Sequence, residues 1–86
     1  MTKEQVLKEI QDIITYDFDK DDVILTYRST LEDMYITSLE LADLILRIEE
    51  TFDIETPYGN GAFPFATLGE FIDYLVELIN STHPTK

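Results

Sequence analysis

The stretch DMYITSLELA, residues 33–42, decides how this chain is read. Thr37 precedes an apolar pattern of helical period, and Glu40 follows three residues later. That is the spacing of a capping box, in which hydroxyl and carboxylate each accept the other residue's backbone N–H. From Ser38, residues Leu41, Leu44, Ile45, Ile48 and Phe52 fall on one side of a helix at about 100° per residue. The pattern predicts a helix that begins at Ser38 and ends near Thr51. Ser38 then stands at the positive end of the helix, where free N–H groups and the macrodipole favour an anion. Two readings are open there. Ser38 is one more helix-start serine with a structural role, or it is a rigid, exposed point at which a phosphodiester is attached.

Around this stretch the chain reads as helical. A helix is expected from about Lys3 to Tyr16, with Thr2 and Gln5 as its capping box and Val6, Leu7, Ile10, Ile13 and Ile14 at helical spacing. A loop of roughly twenty residues, Asp17 to Thr37, is long for a connection, so it is expected to pack through Val23, Leu25, Leu31 and Met34. The segment TPYGNGAFPFA, with two glycines and two prolines, allows a single helical turn at most. A last helix starts after Thr67, with Glu70 as box partner and Leu68, Phe71, Ile72, Leu75, Val76 and Ile79 as its stripe. The expected fold is all-α: a small bundle of three main helices, a short or irregular third element and a long first loop. One domain over residues 1–80 and a flexible tail over 81–86 follow from the same pattern. The expected core is Leu7, Ile10, Ile14, Leu41, Ile45, Ile48, Phe52, Phe71, Ile72 and Leu75.

Composition removes several function classes. The 86 residues suffice for one small domain, and 44% hydrophobic content indicates a packed fold. Without cysteine there is neither a disulfide framework nor a thiolate metal site. No apolar run approaches membrane-spanning length, and the first residues lack a signal-peptide core, so a reduced cytoplasmic setting is expected. The net charge of −12 repels phosphate backbones and anionic membranes, and it steers basic protein surfaces toward the chain. Acidity that serves solubility alone gives the same number.

The chemistry-bearing residues are few. DFDKDD, residues 17–22, begins like a calcium loop, but the sixth position is Asp22 instead of glycine and the twelfth is Arg28 instead of glutamate. A solvated acidic loop is the reading, open to adventitious divalent cations, and no dedicated metal site is expected. His83 is the single histidine, next to Pro84 in the tail, so nucleophile triads and dyads are excluded. No carboxylate pair stands out for acid–base work. The chain is read as no enzyme. Leu39 and Leu46, seven residues apart, lie off the core stripe and are flanked by Asp43 and Glu50. Either the helix is buried over a wide arc, or these leucines form a contact patch rimmed by acids.

Taken together these residues resemble the acyl carrier protein and peptidyl carrier protein family. That family enters its second helix on an aspartate–leucine–glycine–x–aspartate–serine–leucine stretch, and here the stretch reads DMYITSL, Asp33 to Leu39. LELADLILRIEETFDIETP and FATLGEFIDYLVELI are similar to the family's second helix with its following turn and to the start of its last helix. The likeness covers nearly the whole chain. It implies a four-helix bundle and a 4′-phosphopantetheine arm, taken from coenzyme A, on Ser38. Acyl or aminoacyl groups would ride on that arm as thioesters between enzymes of fatty acid, polyketide or nonribosomal peptide synthesis.

The resemblance also implies partners: a phosphopantetheinyl transferase, an activating ligase and synthase enzymes with basic docking surfaces. They would meet a monomer through Leu39, Glu40, Asp43, Leu46 and Glu50. The departures are Thr37 where the family has aspartate, Tyr35 where it has glycine, Arg47 within the acidic face, and Gly59–Asn60–Gly61 with Pro64 in the third element. They point to a specialised biosynthetic pathway. The rival reading is a carrier-like interaction protein, never modified, that docks basic partners through its acidic second helix.

Overall fold

A computed structural model describes residues 1–59 and 62–83. Helix α1, Lys3–Asp12, opens on the expected box: Thr2 Oγ1 accepts the Gln5 N–H at 3.2 Å, and Gln5 Oε1 accepts the Thr2 N–H at 2.8 Å. The helix then widens into a π-helical turn, Ile13–Asp17. Val6, Ile10, Ile13 and Ile14 are buried, whereas Leu7 is only half-buried against the core. That corrects the expected core. Leu7 lies about 100° from Val6 around the helix, on the rim of the stripe, and Val6 takes the central place.

The long loop is packed, as its apolar residues require. Val23, Leu25 and Met34 are buried and Leu31 is half-buried. Gln11 clasps the loop to α1: its Nε2 donates to the Val23 carbonyl at 2.8 Å and its Oε1 accepts the Leu25 N–H at 2.7 Å. This satisfies backbone groups that have no ladder to join.

Helix α2 spans Ser38–Phe52 and buries Leu41, Leu44, Ile45, Ile48 and Phe52. It ends where Asp53 adopts a left-handed conformation, φ 53°, and the Ile54 N–H reaches back to the Glu49 carbonyl at 3.0 Å. Ile54 is buried beside the helix end, the apolar contact that accompanies such a stop. Helix α3, Leu68–Thr82, buries Leu68, Phe71, Ile72, Leu75 and Ile79, and Lys3 of α1 pairs with Asp73 of α3 at 2.7 Å. The helix runs two residues into the expected tail. His83 is tied as well, its Nε2 lying 2.8 Å from the Asp53 carbonyl. Pro84, Thr85 and Lys86 lie outside the described residues.

Between α2 and α3 no helix forms among the described residues, so the described fold is three α-helices and an irregular third element. Asn60 and Gly61 of the expected insertion lie outside the described residues. The remainder is held by aromatic rings instead of helical hydrogen bonds. Tyr58 meets Phe65 edge-on at 5.4 Å, and Phe63 and Phe65 stand 5.1 and 5.3 Å from Phe71. Such pairs contribute about 0.5–1.5 kcal/mol each beyond their buried area. Burial near this cluster raises the pKa of Tyr74, with Tyr58 and Glu49 adding to the effect.

Candidate functional site

The start of α2 is fixed by local chemistry. Thr37 Oγ1 accepts the Glu40 N–H at 3.1 Å, and Glu40 Oε1 accepts the Thr37 N–H at 2.9 Å. The cap thus belongs to Thr37 and Glu40, and Ser38 contributes nothing to it. Ser38 is exposed, and among the described residues no side-chain hydrogen bond engages its hydroxyl. As the first helical residue it also stands among N–H groups that lack an intrahelical acceptor.

Leu39 is 85% exposed and Leu46 50% exposed, with Glu50 exposed and Asp43 half-exposed on the same outer side of α2. The wide buried arc is therefore ruled out. The core stripe faces inward and this apolar ridge faces solvent. Gly59 approaches the ridge from the third element, close enough that a Cβ there would lie 3.7 Å from Leu46 Cδ2. The Thr56 N–H donates to Glu49 Oε2 at 2.6 Å and pins that segment to the flank of α2.

The other flank is held by cations. Lys20 Nζ lies 3.6 Å from Glu40 Oε2, so Glu40 is turned toward the loop instead of the ridge. The hydrogen bond from the Thr37 N–H holds the Glu40 carboxyl below its ordinary pKa; burial opposes it, and the neighbouring Lys20 charge adds a further lowering effect, individually smaller than either. Arg47 spans three partners. Its NH1 nitrogen lies 3.2 Å from Asp17 Oδ2, its Nε lies 3.2 Å from Asp43 Oδ2, and its guanidinium carbon sits 5.5 Å from the centre of the Phe18 ring. The Nε contact is an ion pair without an aligned hydrogen bond. Arg47 is therefore a strap from α2 to the end of the π-helical turn. Sequence reading had it as a break in an acidic face, because nothing in the sequence says which loop lies beside it. Lys20, missed altogether, carries a faint signal as the one cation inside DFDKDD.

Tyr35 departs from ordinary backbone. Its φ is 55°, in the left-handed region, and its side chain is 74% exposed. Asp19 and Asp53 share positive φ, but aspartate tolerates it by local hydrogen bonding. Tyrosine does not, and the conformation costs roughly 1–2 kcal/mol. The neighbours enforce it. Met34 is 1% exposed and anchored in the core, and Thr30 and Asp33 bond reciprocally at 3.0 and 3.3 Å. Tyr35 closes the turns in which the Met34 and Tyr35 N–H groups bond back to the Thr30 and Glu32 carbonyls, and Ile36 then leads into the extended Thr37 cap.

Among the described residues no group of three or more histidines or carboxylates could hold a metal ion, and no helix is long and apolar enough to cross a membrane. Comparison with known proteins gives one consistent answer. The chain is 35% identical over 78 residues to the acyl carrier protein of Rubrobacter xylanophilus, covering 90% of this chain and 95% of that one. It is 33% identical over 76 residues to the acyl carrier protein of an Exiguobacterium species, covering 87% and 95%. With that of Streptococcus pneumoniae it shares 33% over 72 residues, covering 84% and 93%. No family model and no solved structure matches.

Proposed function

The chain belongs to the acyl carrier protein family, and on that premise we propose that Ser38 carries a 4′-phosphopantetheine arm delivering acyl or aminoacyl thioesters to partner enzymes. Proteins of this family are carriers and not enzymes, and the family implies a covalent phosphopantetheine. The observation that supports its place here is the division of labour at the α2 start. Thr37 and Glu40 make both bonds of the capping box without Ser38, which leaves the Ser38 hydroxyl exposed and uncommitted. When attached, the arm supplies the thiol that a chain without cysteine lacks. The residues around Ser38 fit a phosphodiester: a helix N-terminus of 15 residues places its positive end there.

Partners are proposed to dock on the ridge beside Ser38. Leu39 and Leu46 offer apolar area, and Glu50 and Asp43 offer charge for a basic surface. Glu40 acts there through the cap, because its carboxylate is spent on Thr37 and Lys20. Arg47 neutralises part of Asp43, leaving Glu50 as the freer steering charge. Thr37 caps the helix without the negative charge of the family's aspartate, and Tyr35 adds bulk, which supports a role in a specialised pathway. Incubation with coenzyme A and a broad-specificity phosphopantetheinyl transferase tests the assignment. The intact mass rises by one phosphopantetheine, and Ser38→Ala prevents the gain. No gain in the native chain would favour an unmodified interaction protein instead, and a gain persisting in Ser38→Ala would move the site.

A further inference from the structure

We propose that Tyr35 is a selectivity gate over Ser38, admitting only enzymes whose surface has a recess for its ring. The inference rests on attachment at Ser38. Three observations carry it. Tyr35 holds a left-handed backbone, φ 55°, that glycine would adopt freely and tyrosine adopts under strain. Its ring is 74% exposed, so packing inside the molecule does not offset that strain. Its backbone is pinned on both sides: Met34 is buried in the core one residue before it, and Thr37, two residues after it, is held in the capping box directly before the first helical residue. A partner can turn the ring about its side-chain bonds, but the backbone that carries it stays between these anchors.

The residue lies three positions before Ser38, on the segment that leads into the start of α2. A bulky, exposed side chain on a pinned backbone there acts by exclusion. It costs nothing to a partner with a matching hollow and blocks one that lies flush against the start of α2, which is how specificity is gained by obstructing the wrong partner. Leu39, 85% exposed at the next helical position, lies on the approach shared by both kinds of enzyme and does not discriminate between them.

The test measures kcat/KM for loading by one broad-specificity phosphopantetheinyl transferase with coenzyme A, followed by intact mass. Tyr35→Gly removes the ring and the strain together. Tyr35→Asn removes the ring while keeping a residue that tolerates positive φ. Tyr35→Phe keeps the ring. The gate predicts that Gly and Asn load roughly fivefold faster or more, through a lower KM at unchanged kcat, while Phe loads at the native rate. In a Ser38→Ala background, where no chemistry occurs, Tyr35→Gly should bind the same transferase more tightly by a similar factor. Loading of the Gly and Asn variants at the native rate would overturn the gate and leave attachment at Ser38 standing. Failure of every form, native chain included, to gain mass would overturn both.

Discussion

Helix α2 starts with Thr37, Ser38, Leu39 and Glu40, and α3 starts with Thr67, Leu68, Gly69 and Glu70. In sequence the two starts are nearly interchangeable, each a threonine cap with a glutamate three residues on. Their surroundings are opposite. At α3 the loop closes the helix end: the Ser29 carbonyl accepts the Leu68 N–H at 2.7 Å and the Tyr27 carbonyl accepts the Gly69 N–H at 2.8 Å. Leu68 is 1% exposed, and a Cβ on Gly69 would meet the Tyr27 carbonyl oxygen at 2.7 Å. At α2 nothing among the described residues covers the corresponding positions, and Ser38 and Leu39 are exposed. A helix N-terminus becomes available for chemistry when no other segment uses its N–H groups. The closed end makes the fold, and the open end is left for a partner.

The contrast can be broken most severely at the first helical residue. Leu68→Ala should lose roughly 2–5 kcal/mol, a large part of a small domain's stability. Ser38→Ala, at the same helix position, should change stability by less than about 0.5 kcal/mol, since the cap resides in Thr37 and Glu40. Urea unfolding of the pair measures both. Equal losses would mean that Ser38 is structural after all.

The second helical residue gives a smaller effect and a diagnostic sign. Glycine inside a helix is ordinarily worse than alanine by about 0.5–1 kcal/mol. Gly69→Ala should nevertheless destabilise by roughly 1–3 kcal/mol, because the added methyl collides with backbone and cannot be accommodated by a rotamer change. Leu39→Ala should be nearly neutral. A stabilised Gly69→Ala variant would show that the loop does not hold its seal on α3.

Much of this was legible in the sequence. The period of the apolar residues placed α2 within one residue, and the same period separated the outer leucines from the core stripe. The capping threonines were visible at all three helices, although at α3 only Thr67 Oγ1 takes part, accepting the Glu70 N–H at 3.4 Å, and no reciprocal bond from Glu70 joins it. What escaped depends on contacts between distant residues. That Gly69 must lack a side chain follows from Tyr27, and that Arg47 is a strap follows from Asp17 and Phe18. That Tyr35 is strained follows from the burial of Met34. Local pattern reports a residue's own preference, and none of these facts is about one residue's preference.

On the open side the expected effects are kinetic. Leu46→Ala should speed dissociation from a phosphopantetheinyl transferase several-fold by removing apolar contact area, with little change in association. Glu50→Lys should slow association, and the difference should fade in high salt, because it acts through the long-range field. Asp43→Lys should show a mixed response, since it also releases Arg47. Arg47→Ala frees two carboxylates and loosens the loop, so any faster association should come with lower stability. Native-like kinetics for all four variants would place docking away from α2.

The smallest effect concerns the carboxylate that completes the open cap. Glu40 has its pKa held below the ordinary value, first by the Thr37 N–H and then by Lys20. A lowered folded-state pKa means that the folded protein binds that proton less readily than the unfolded chain does. The resulting stabilisation is fully present above the ordinary glutamate pKa, and it is lost as the pH falls through the lowered value. Glu40→Gln keeps a side chain able to complete the capping box and removes the charge. Native protein should therefore be the more stable of the two at neutral pH, and the gap should close on acidification below the ordinary carboxylate range. Salt should narrow it at neutral pH, because the Lys20 contribution is partly exposed and screened. Paired denaturant titrations across pH measure the difference directly. A gap independent of pH would show that the ionised carboxylate is not what holds the cap, and that the amide serves the start of α2 equally well.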